Sequence, residues 1–65
     1  MKSVKPRQMI KVLGEKGFQF VRQKGSHRLY RKGDLRVTVP YHTKDIKPGT
    51  LRSILKRAGL TETDL

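Results

Sequence analysis

The run Gly25-Ser26-His27 sets one of two histidines at a predicted turn-to-strand junction crowded with cations. Arg22, Lys24, Arg28, Arg31, Lys32 and Arg36 surround it, and Asp34 is the only acid between residues 16 and 44. An imidazole, with an ordinary pKa of about 6.5, takes or gives a proton near neutral pH. Cations around it would hold a polyanion in place meanwhile. The combination points to acid–base chemistry on a phosphodiester, with His27 as the reacting group and Arg22, Lys24, Ser26 and Arg28 against the substrate. The plainer alternative is a loop histidine bonded to backbone, the commoner role for a lone histidine. Serine nucleophile chemistry has little support, because no carboxylate can be assigned to orient a histidine toward Ser26. Two histidines with scattered Asp34 and Asp45 show no metal-ligand spacing, so neither metal nor cofactor is expected.

Further along, Lys44 and Lys47 precede a predicted helix N-terminus, where free backbone N–H groups and the helix dipole already favour an anion. A basic pair there reads as a phosphate clamp, or else as a solvated charge cluster. Arg52 and Lys56, with Arg57, either extend that patch along the helix or form its wet face, the latter being the better reading for Arg57. Tyr30 and Tyr41 offer rings that can stack on unpaired bases, although in so short a chain an aromatic residue is more often core. His42, in a polar connection, suits loop hydrogen bonding better than catalysis.

Size and charge restrict what such a constellation can be. Sixty-five residues make one domain, spanning residues 1–65, and a domain this short buries only about 60% of its unfolded surface. Any site must be an open surface or groove. Sixteen Lys and Arg against five acids give a formal charge of +11, which points to nucleic acid, an anionic membrane or an acidic protein. The membrane is the weakest of these, since no apolar run approaches the roughly 18 residues of a span and no secretory signal is visible. Cysteine is absent, which suits a reducing cytoplasm and leaves no thiolate metal site.

The elements that must position these residues follow from patterning. A helix is predicted from Pro6 to Lys16, with Met9, Ile10 and Leu13 on one stripe and Gly17 as its stop. Gly14 inside it costs about 1 kcal/mol relative to Ala, which suggests a close packing contact. Strands are predicted over residues 18–23, 27–31 and 35–39, joined by turns at Lys24-Gly25-Ser26 and Lys32-Gly33-Asp34. Leu35, Val37 and Val39 alternate with Arg36 and Thr38, the pattern of a sheet with one wet face. The first two strands alternate poorly, and the face taken by His27 stays open. After Pro40 and a polar connection, a second helix is predicted from Pro48 to Ala58, with Leu51, Ile54, Leu55 and Ala58 inward and Gly59 closing it. Residues 61–65 resemble the start of a further helical turn. The fold class is α+β, in the order α-β-β-β-α, with both helices on one face of a three-stranded antiparallel sheet.

With these residues on view, the chain resembles a known family. Lys11-Val12-Leu13, Gly17-Phe18 and Val21-Arg22-Gln23-Lys24-Gly25-Ser26-His27 are similar to the first half of the HicA toxins. Val37-Thr38-Val39-Pro40, His42, and the run from Gly49 to Leu60 are similar to the second half, so the resemblance spans about residues 7 to 60. It implies a fold like a double-stranded-RNA-binding domain and a cytoplasmic ribonuclease that cleaves messenger RNA, held inactive by a HicB antitoxin. The family's catalytic histidine falls on His27. Many members carry a second histidine directly after it, where this chain has Arg28. The free protein is expected to be a monomer. Two other classes fit the same charge: an RNA-binding module without chemistry, and an interaction protein whose positive face docks on an acidic partner.

Overall fold

The N-terminal helix α1 (Pro6–Glu15) starts where its sequence can satisfy the helix end. Pro6 occupies the first turn, where its missing N–H loses nothing. The preceding Lys5 N–H donates to Gln8 Oε1 at 3.0 Å, closing that turn from outside. Met9 and Leu13 are fully buried, with Ile10 and Val12 packed beside them. Gly17, at φ +97°, reverses the chain, so that the Phe18 N–H donates back to the Leu13 carbonyl at 2.9 Å. The computed structural model that shows this describes residues 4–42 and 44–65.

Strands β1 (Gln19–Lys24), β2 (His27–Lys32) and β3 (Leu35–Pro40) form an antiparallel meander in the order β1-β2-β3. The connecting turns are the two-residue pairs Gly25-Ser26 and Gly33-Asp34. Each has glycine at φ near +58° first and no positive φ at the second residue, the sign pattern of type II′ turns that suit the twist of a hairpin. Lys24 therefore belongs to β1 rather than to the turn, and β1 starts one residue later than its aromatic run suggests. The ladder puts His27 opposite Lys24 on one side and Pro40 on the other. Between Phe20 and Arg22 the register shifts, leaving Val21 as an extra residue. That bulge is why β1 does not alternate cleanly in sequence.

One sheet face is covered. Tyr30, Val37 and Val39 meet Met9 and Leu13 from α1, and Leu51, Ile54, Leu55 and Ala58 from α2 (Pro48–Ala58). Burying each of the Val, Leu, Ile and Met side chains is worth about 1.5–3 kcal/mol. Gly59 ends α2 in the left-handed conformation at φ 71°, and the Leu60 N–H returns to the Leu55 carbonyl at 2.8 Å. An isolated bridge, Val4 to Ile46, ties the residues ahead of α1 to the segment leading into α2. At the far end a short 3-10 turn (Glu62–Asp64) is pinned by Asp64. Its carboxylate accepts from the Thr61 N–H at 2.8 Å and pairs with Lys16 at 3.1 Å. The Thr61 hydrogen bond, reinforced by Lys16, holds that carboxyl below its usual range. With its shortest extent at 17 Å, the molecule is two layers thick and any site lies on its surface.

One expectation is overturned. Gly14 makes no close approach, because a Cβ built there meets nothing within 4 Å. Its cost is therefore uncompensated helix entropy. Gly14→Ala should stabilise the protein by about 1 kcal/mol, raising the melting temperature by roughly 4–8 °C for a domain of this size. A thermal melt that moves downward would reveal a packing role for the glycine.

Candidate nucleic-acid interface

Because Tyr30, Val37 and Val39 point into the helix layer, alternation sends their neighbours the other way. His27, Leu29 and Arg31 of β2 project from the uncovered face, with Arg36 and Thr38 of β3. Arg22 and Lys24 join them as cross-strand partners of Leu29 and His27. Leu29 forms the floor of a shallow groove of about 240 Å³, walled by Val21, Arg22, Arg31 and Arg36. His27 stands two residues from that floor, exposed to solvent.

The charge on this face is uncompensated. The ion pairs among the described residues lie elsewhere, Lys5 with Asp45 at 3.2 Å and Lys16 with Asp64 at 3.1 Å. Arg31 gives its Nε–H to the Gly33 carbonyl at 3.0 Å, leaving the outer guanidinium N–H groups free. Asp34 occupies the opposite end of the hairpin from His27, roughly 16 Å away at about 3.3 Å per strand residue. Nor do three histidine or carboxylate groups converge anywhere among the described residues. The face can therefore hold an anion and move a proton at His27.

Arg28 is elsewhere. Its partner Val39 is buried, so Arg28 leans toward the helix layer. There its guanidinium sits 3.7 Å from the Tyr41 ring centroid and 5.7 Å from that of Phe20. Its Nε–H donates to Gln23 Oε1 at 2.9 Å, and Gln23 Nε2 in turn donates to the Gly25 carbonyl at 3.0 Å. The Tyr41 N–H donates to the Ser26 carbonyl. Tyr41, Arg28 and Gln23 thus form a brace that fastens the Gly25-Ser26 turn to the end of β3. Ser26 is exposed on that turn, next to His27.

The remaining cations belong to the helix layer. Lys47 is the residue before the first turn of α2; Lys44 is exposed just ahead of it. Arg52 walls a separate groove along α2 with Leu55, Lys56 and Leu60. Tyr30 is core, 5% exposed, and touches Phe20 edge-to-face at 5.8 Å, so it offers no ring to a ligand. Tyr41 does, being 37% exposed. Arg31 and Arg36 appear in sequence only as part of the cationic surround. A two-residue Gly25-Ser26 turn, combined with the alternation of Leu35, Val37 and Val39, is the signal that puts them on the same sheet face as His27, about 13 Å further along the hairpin.

A family model described as the HicA toxin of bacterial toxin–antitoxin systems matches residues 6–60. No curated protein matches the chain.

The brace carries its own test. Arg28→Ala removes a cation–π contact and a charged hydrogen bond on a partly buried residue, and should cost about 1–2 kcal/mol of stability. Amide hydrogen exchange should accelerate at Gly25, Ser26 and His27 more than in α1 or α2. Uniform acceleration across the fold would show that the brace has no local action on the turn.

Proposed function

The chain belongs to the HicA toxin family of bacterial toxin–antitoxin systems, and we propose that it is a metal-independent endoribonuclease acting on messenger RNA in the cytoplasm. The observation that carries this reading is His27 exposed on a helix-free sheet face, with Lys24 and Arg22 next to it across the ladder and Arg31 and Arg36 further along the same face, none of them in an ion pair among the described residues. RNA supplies its own nucleophile. The ribose 2′-oxygen attacks phosphorus, the bond from phosphorus to the 5′-oxygen breaks, and a 2′,3′-cyclic phosphate and a 5′-hydroxyl result. A neutral His27 takes the proton from the 2′-OH; a protonated one delivers a proton to the departing 5′-oxygen. Water completes the other transfer. Lys24, directly across the ladder from His27, and Arg22 beside it on the same strand face stabilise the extra negative charge on the five-coordinate phosphorus, where preorganised donors act most strongly. A single acid–base group on an open face suits a modest rate and a loose sequence preference.

The family pairs each toxin with an antitoxin. We propose that here it is an acidic, HicB-like protein that covers His27 and the cations sharing its sheet face. A formal charge of +11 would make that association fast and salt-sensitive.

Cleavage of RNA by purified protein should persist in chelator and fall by about 10²–10⁴-fold in His27→Ala, with RNA binding retained. Equal cleavage by both proteins, or complete inhibition by chelator, defeats the assignment. Binding without cleavage in either leaves a non-catalytic RNA-binding module.

Binding itself should weaken steeply with salt. Alanine at Arg22, Lys24, Lys44 or Lys47 should each flatten the logarithmic salt slope by about 0.7, the contribution of one single-strand phosphate contact. An affinity indifferent to salt would mean that the positive surface does not bind RNA.

A further inference from the structure

A second groove lies around the end of the sheet from His27. It measures about 270 Å³ and is lined by Lys5, Pro6, Arg7, Tyr41 and His42. It brings together what a nucleotide needs: an exposed aromatic ring, cations, and an imidazole able to donate or accept at a base edge. Lys5 is engaged with Asp45 at 3.2 Å. Arg7 is exposed, and no ion pair engages it among the described residues.

The groove is also joined to the proposed reaction centre. Tyr41 follows Pro40, the cross-strand partner of His27, and its N–H bonds to the Ser26 carbonyl. Covalent and ladder spacings put the Cα atoms of Tyr41 and His27 within about 10 Å. That is close enough for neighbouring nucleotides of one strand to use both. Arg28, 3.7 Å from the Tyr41 ring centroid, holds the ring before any ligand arrives, so stacking on it forfeits little side-chain freedom.

We propose that this groove is a nucleotide subsite, in which an unpaired base stacks on Tyr41 and its phosphate meets Arg7. The inference rests on the reading of the chain as an RNA-cleaving toxin, and it narrows the substrate to single-stranded RNA. A base inside a duplex is stacked on both faces and has none to offer Tyr41. The likeness to a double-stranded-RNA-binding domain therefore extends to the fold and not to the ligand.

The test is a binding measurement on full-length protein carrying His27→Ala, with a short oligoadenylate and an equally long abasic ribose-phosphate strand as probes. Adding Tyr41→Ala should lower affinity for oligoadenylate about tenfold, as expected for one lost base stack. Affinity for the abasic strand should stay within about twofold, and Tyr41→Phe should behave as Tyr41 does. Arg7→Ala should weaken both probes alike. Because the chain contains no tryptophan, Tyr41→Trp in the same background gives a direct readout that survives any instability of the alanine variant. Its fluorescence should be quenched by oligoadenylate and unchanged by the abasic strand. Equal loss for both probes with Tyr41→Ala, no loss for either, or indifferent tryptophan fluorescence overturns the subsite. Since none of these arms needs cleavage, they stand apart from the reaction: absence of cleavage in the unmodified protein would refute the enzyme and leave the base-dependent pattern intact.

Discussion

Tyr30, Val37 and Val39 must be covered by α1 and α2 together, because neither helix alone has the apolar width to shield three strands. That demand takes up most of the large apolar side chains of a 65-residue protein. The opposite face is left with Leu29 and Val21 among polar and charged side chains, and it stays wet. The polar face is thus a by-product of a core that can be built only once. What distinguishes this chain is that its wet face carries arginine and lysine almost to the exclusion of acids.

Crowding cations on one side of a thin sheet works against the folded state, since repulsion among Arg22, Lys24, Arg31 and Arg36 is relieved when the chain expands. Two acids are spent on Lys5 and Lys16 at the helix layer, and Asp34 sits at the hairpin tip. Any polyanion that binds this face lifts the repulsion and stabilises the native form by mass action. Ligand affinity and fold stability are coupled through the same four side chains. The brace of Tyr41, Arg28 and Gln23 stands against this strain, tying the most cationic turn to the end of β3 through contacts that do not depend on a ligand.

Much of this is legible in the residues. Pro6, Gly17, Pro48 and Gly59 mark the helix limits, and the period-two pattern of Leu35, Val37 and Val39 identifies the third strand's inner face. The face of His27 is not legible by itself, since β1, its nearer neighbour in sequence, carries Val21 as a bulge and so mixes the two faces in its pattern. Lys24 reads as turn because of its neighbours, yet glycine at a positive φ makes two residues sufficient. Gly14 reads as a contact because a helix seldom tolerates glycine without reason, and only the surrounding space shows that there is none. Arg28 reads as a companion of His27 because adjacency in sequence looks like adjacency in space. In a strand, neighbours face apart, and a guanidinium with two aromatic rings within reach turns toward them.

The bulge at Val21 has one more effect. A three-stranded meander leaves β1 and β3 with open edges, each a row of backbone donors and acceptors on which a strand of another molecule can template itself. On β1 the two-against-one pairing at Phe20 and Arg22 twists the edge and breaks its regular spacing. On β3 the last residue is Pro40, which has no N–H to offer. Both edges are therefore poorer templates for a continuous ladder with a neighbouring copy. The protein thereby keeps Phe20, Val21 and Leu35 exposed to water without turning its small sheet into a seed for aggregation.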